Sequence, residues 1–188
     1  MTVSLQPDEC EAICDAVRSA FRKIGNLYRE LEPIFARYGL TPPSPGVIAR
    51  NLSEEIERAI AQHCTAFEKG GTHHDLQRTG EMWEVKICQR SGLTINQSAT
   101  IAGEHYIVVN YTTSPVRPSR IWVLWGAQDA WFSPRRLNAN ARSLTFRNTP
   151  THAIQVLYQV GLQRDRDQWL PLPAEKRKVR RTHRAGLT

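Results

Sequence analysis

The stretch HDLQRTGEMWEVKI, residues 74–87, decides the reading of this chain. A Thr79-Gly80 turn joins an acidic lead-in at Asp75 to an apolar segment interrupted by Glu84 and Lys86. Successive side chains of a strand point to opposite faces. Trp83, Val85 and Ile87 therefore share one face, which reads as a core face, while Glu84 and Lys86 share the other. Asp75 reaches that second face across the turn. Folding alone does not require two acids and an amine to converge there, whereas a hard divalent cation and an attacking water do. A plainer reading is a Glu84–Lys86 ion pair on a solvated face, but it has no use for Asp75.

Working toward the N-terminus, residues 53–69 predict a helix with Ser53 as N-cap and acids in its first turn. Its apolar stripe is Leu52, Ile56, Ala59, Ile60, His63 and Phe67, and Gly70-Gly71 ends it. Residues 41–46 (TPPSPG) break the chain as a stiff linker. Before them, apolar residues recur at helical spacing from Cys10 to Tyr38, which predicts one long amphipathic helix over residues 8–38, bent near Pro33. Laid on the domain core it is an ordinary helix; as a free stripe it is a dimerising one.

Toward the C-terminus, residues 73–77 and 82–88 predict a hairpin. The uninterrupted apolar runs HYIVVNY (105–111) and RIWVLW (120–125) suit strands buried on both faces, as in a sheet sandwiched by helices. A helix over residues 151–160 closes the fold. The expected organisation is a helical segment over 1–40, the linker at 41–46, an α/β domain over 47–170 and a basic, disordered tail over 171–188.

An acid, a short hairpin, then Glu-x-Lys on the second strand, preceded by a helix that carries a glutamate, resembles the PD-(D/E)xK nuclease superfamily. The resemblance spans residues 46–126, and His74 stands where that family usually has proline. It implies an α/β, restriction-endonuclease-like fold: a mixed central sheet flanked by helices, here with the long N-terminal helix added. It implies an Mg²⁺-dependent (Mn²⁺-tolerant) endonuclease that hydrolyses phosphodiester bonds in DNA, of restriction, defence or mobile-element type. In that reading Asp75 and Glu84 are metal ligands, the Val85 carbonyl is a third, and Lys86 orients the water or holds the phosphate. The helical acid is one of Glu54, Glu55 and Glu57. With the stripe centred near Ile56 and His63, Glu55 lies on its flank and is the choice, with Glu54 second. The rival is a nuclease-like fold kept as a non-catalytic DNA-binding or assembly subunit.

Other polar groups fit a nucleic-acid partner. Arg135, Arg136 and Arg142 lie among aromatics and asparagines in residues 130–147, a composition suited either to backbone and base contact or to a pinned surface loop. Gln97 matches a glutamine that such nucleases carry on a helix after the motif. His73 and His74 face opposite ways on a strand and so do not share a zinc ion; His74 is a candidate phosphate contact. The net charge of +7 favours an anionic partner such as DNA, and its densest part is the Lys/Arg run at 176–184. Four cysteines without zinc-type spacing, and no run of membrane-spanning length, lead to the expectation of a soluble protein in a reducing cytoplasm, with no membrane. The regular stripe of the first helix and the two strands to be cut lead to that of a homodimer through this helix.

Overall fold

The computed structural model describes residues 4–44, 47, 52–71, 74–89, 92–99, 101, 103–113 and 116–160. His73, the end of the linker and the basic tail lie outside them. Within this frame the protein is a mixed α/β fold with a long N-terminal helix and a mostly antiparallel sheet of six strands.

Two strands carry the centre, β5 (His105–Thr113) and β6 (Val116–Leu124), paired antiparallel. Their alternation explains the uninterrupted apolar runs. Ile107, Val109, Ile121 and Val123 face one core, and Tyr106, Val108, Trp122 and Leu124 face another. Outward from β5 lie β3 (Glu81–Cys88), β2 (Leu76–Arg78) and the short β1 (Glu68–Lys69). The β3–β5 pairing is parallel and, among the described strands, every other pairing is antiparallel.

The first core lies beneath two helices. In α1 (Pro7–Arg37) the residues Ile13, Ala16, Val17, Ala20 and Phe21 are buried, and in α2 (Ser53–His63) so are Ile56, Ala59 and Ile60. Each buried Ile, Val or Phe among them contributes roughly 1.5–3 kcal/mol through burial, and each alanine methyl less. Pro7 opens α1, and the Glu9 carboxylate accepts from the Gln6 N–H at 2.6 Å. That carboxylate is itself buried and takes two bonds from Arg78 (3.0 and 3.1 Å), which tie the start of α1 to the hairpin. The first half of α1 is thus built into the core. Farther along the same stripe, Leu27, Ile34 and Tyr38 are exposed.

The second core is covered differently from the expected sandwich of helices. On that face lies a small sheet of β4 (Thr94–Asn96) and β7 (Ala141–Ser143), with Leu93, Ile95, Trp131, Phe132 and Leu144 packed down onto β5 and β6. The expected C-terminal helix is also absent. Thr151–Ala153 forms one 3₁₀ turn, and β8 (Ile154–Gln159) then pairs with β6 at the sheet margin. The segment IQVLYQ is rich in β-branched and aromatic residues, and β6 offers it an unpaired ladder. The helix expected to reach residue 69 stops at His63, because Cys64 turns extended and Phe67 enters the core just before β1 pairs with β2.

Among the described residues no helix is long and apolar enough to cross a membrane.

Candidate active site

A mismatch in strand length makes the site. The hairpin turn has both central residues left-handed (Thr79 φ 48°, Gly80 φ 82°), as a two-residue hairpin of matching twist demands. It sets Leu76 opposite Trp83, but β2 is three residues long and β3 eight. The ladder ends where the Asp75 N–H donates to the Trp83 carbonyl at 3.1 Å. Beyond that point the side chain takes over: Asp75 Oδ2 accepts the Val85 N–H at 2.7 Å. The N–H and C=O of one strand residue point to the same side, so the Val85 carbonyl faces the same edge.

Asp75 is held there from behind. Gly70 N–H donates to the Asp75 carbonyl at 2.9 Å. Gly70 must be glycine, since a Cβ would stand 2.2 Å from the carbonyl oxygen of His74. His74 accepts from the Gly71 N–H at 3.4 Å through Nε2, so its ring braces this bend.

Glu84 and Lys86 lie on the face turned toward β4, as the alternation predicts. Lys86 Nζ forms an ion pair with Glu84 Oε2 and stands 4.0 Å from Asp75 Oδ2. The expected trio is therefore assembled. Burial raises the Glu84 carboxyl, and the bond from Lys86 offsets part of that rise. A cleft of about 290 Å³ opens beside the pair, lined by Glu84, Lys86, Thr94, Ile95, Asn96, Ala99, Glu104 and Tyr106. The Tyr106 hydroxyl donates to Glu104 at 2.5 Å. Burial, followed by that carboxylate, pushes the phenol well above its ordinary range.

The structure gives the three helical glutamates different surroundings. Glu55 is held by Lys23 of α1 and by Arg58 (2.7 Å), and the bond from Lys23 draws its carboxyl below the usual range. Glu54 is exposed. Glu57 is the one that senses the site: burial, then the charge of Asp75, with smaller effects from Glu54 and Glu84, lifts it to about 7 despite the nearby Lys86. Glu55 and Glu57 flank Ile56 about 100° to either side, and periodicity does not say which flank meets α1 and which meets β3. His63, at one end of the expected stripe, is exposed, so it does not favour the Glu55 flank. Glu104 carries no local sequence signal, because only the parallel β3–β5 register (Glu84 beside Tyr106) brings it near.

The arginine-rich stretch divides. Arg142 is 2% exposed and fully engaged, giving bonds to both Asp129 carboxylate oxygens (2.5 and 3.2 Å), to the Asp129 carbonyl (3.0 Å) and to the Ser133 carbonyl (2.7 Å). It is a structural anchor and has no donor face for a phosphate. Arg135 and Arg136 are exposed. Gln97 sits in the turn after β4 and on no helix; its Nε2 donates to the Arg136 carbonyl at 3.4 Å, so it braces a loop.

Among the described residues no group of three or more His, Cys, Asp or Glu side chains is close enough to hold a metal ion by itself. The donor set nevertheless suits one kind of ion. Mg²⁺ takes oxygen ligands and is held by one or two carboxylates, with water and substrate phosphate completing its octahedron. Asp75, Glu84 and the Val85 carbonyl are such oxygens, and Asp75, Glu84, Glu57 and Glu104 outnumber the lone Lys86 beside them. No protein-family model matches the chain, and no solved structure matches it significantly.

Proposed function

We propose that the protein is a metal-dependent endonuclease of the PD-(D/E)xK kind, with a restriction-endonuclease-like sheet, that hydrolyses phosphodiester bonds in DNA. The observation behind this reading is the meeting of Asp75, Glu84 and Lys86 at the open edge of β3. Asp75 and Glu84, with the Val85 carbonyl, would hold Mg²⁺, or Mn²⁺ in its place. When bound, the ion supplies charge neutralisation at the phosphate and a more acidic water. Lys86, steadied by both carboxylates, holds the scissile phosphate or orients the water as a point charge. Glu57 borders the cluster and replaces Glu55 as the helical acid.

Cutting both strands of a duplex calls for two related sites. The exposed Leu27, Ile34 and Tyr38 at the far end of α1 are where a second copy would dock. The cysteines are all free thiols, in keeping with a reducing cytoplasm.

The test is cleavage of plasmid and linear DNA in Mg²⁺, Mn²⁺ or EDTA beside Lys86→Ala. Metal-dependent nicking or linearisation is expected, with at least about a 100-fold loss in the variant. Retained cleavage in Lys86→Ala or Glu84→Ala overturns the assignment. DNA binding without products in any metal supports the non-catalytic subunit instead.

A further inference from the structure

We propose that the loop of residues 134–140 is a wedge for duplex DNA, and that Leu137 is the side chain that enters between stacked bases. This rests on DNA being the ligand of the neighbouring cleft. Leu137 is 95% exposed, more than any other large apolar residue described. A lone surface leucine needs no explanation, but the setting of this one does.

Leu137 stands at the tip of a turn whose next residue, Asn138, is left-handed (φ 71°), and exposed Arg135 and Arg136 precede it. The base of the loop is fixed at several points. Arg142 is locked beneath it on Asp129 and the Ser133 carbonyl. Ser133 N–H donates to the Ser143 carbonyl at 2.9 Å, and Gln97 N–H to the Asn140 carbonyl at 3.2 Å. Arg135 donates to the Ala99 carbonyl at 3.2 Å. Ala99 and the β4 residues Ile95 and Asn96 also line the cleft that holds Glu84 and Lys86. The apolar tip is thus rigidly joined to the wall of the site, with cations at its side.

Those parts suit one ligand. An apolar side chain pushed into a base step costs unstacking, and arginines on the flanking phosphates offset that cost. Asp129 is bound by Arg142 and stands 3.9 Å from Arg135, so with Arg136 three arginines face this one acid and the loop surface stays positive. Steps that unstack easily, such as TA and CA/TG, are the expected place of insertion.

The test uses the full chain in EDTA, so that cleavage plays no part, with duplexes carrying a single 2-aminopurine at successive positions. Wild type is expected to raise 2-aminopurine fluorescence several-fold at one position. Leu137→Ala should bind about tenfold more weakly and, at saturating protein, give no rise; Leu137→Phe should restore it. Arg135→Ala with Arg136→Ala should reduce the salt dependence of binding by about two phosphate contacts. An undiminished rise in Leu137→Ala, or DNA binding by wild type with no rise at any position, overturns the wedge. Failure to cleave in Mg²⁺ overturns the nuclease reading while the fluorescence result stands, and failure to bind DNA at all overturns both.

Discussion

Replacing Glu57 by glutamine removes a carboxyl that burial and the charge of Asp75 hold at about 7 instead of the usual 4.5. Where the native state keeps a proton that the unfolded chain has released, stability falls as pH rises. For Glu57 that window runs from 4.5 to about 7, so its contribution is complete below 4.5 and is lost as pH rises through 7. A rise of that size in a dry interior is worth roughly 3 kcal/mol, at about 1.4 kcal/mol per pH unit. Glu57 is only partly buried, and solvent screening reduces the figure to about 1 kcal/mol. Glutamine keeps the shape and drops the charge. Glu57→Gln should therefore raise the melting temperature of the metal-free protein by about 2–4 °C near pH 8, and hardly at all near pH 4.5. Thermal unfolding followed by circular dichroism in EDTA at both pH values measures the difference. Added Mg²⁺ should narrow the gap near pH 8, because the Glu57 charge that the cation would offset is present only in wild type. An equal shift at the two pH values, or a lower midpoint for the variant near pH 8, refutes the placement of Glu57 among these carboxylates.

Two further outcomes follow from local geometry. Thr79 is a β-branched residue held at φ 48°; Thr79→Asn should stabilise the hairpin by about 0.5–1 kcal/mol in urea unfolding, and any destabilisation would count against the turn. His105 Nδ1 accepts the Gly126 N–H at 2.8 Å, so the folded ring must be neutral, and burial accordingly lowers its pKa below 6.5. The unfolded chain binds that proton more readily, so this contribution is present above 6.5 and is lost as pH falls below it. Titration by NMR of the imidazole should show a pKa under 6.5, and a value at or above it would contradict the bond to Gly126.

The sequence was most legible where periodicity and turn chemistry speak for themselves. The Glu84–Lys86 face, the Thr79-Gly80 turn, the long first helix and the two central strands all follow from alternation or from helical spacing, and the structure has each of them. What stayed hidden depends on partners distant in the chain. IQVLYQ carries apolar residues compatible with either a helix or a strand, and only the free margin of β6 makes it a strand. Arg142 reads like its neighbours Arg135 and Arg136 until Asp129 is seen to fold over it. Glu57 and Glu55 are equivalent about the α2 stripe until α1 brings Lys23 to one of them.

A strand edge left open over the second half of β3 invites pairing with another chain, and a lysine with a capping carboxylate is a common defence. Lys86 and the Asp75–Val85 bond would satisfy that need by themselves. They do not account for Glu84 rising through burial beside them, for Glu104 across the cleft, or for Glu57 lifted to about 7 by burial and then by the charge of Asp75. Acids beyond the partner of Lys86 make the metal-free edge less stable, while one charge already suffices to discourage a neighbouring strand. Protection of an edge is better served by fewer carboxylates, whereas a site for a divalent cation and a polarised water has to keep them.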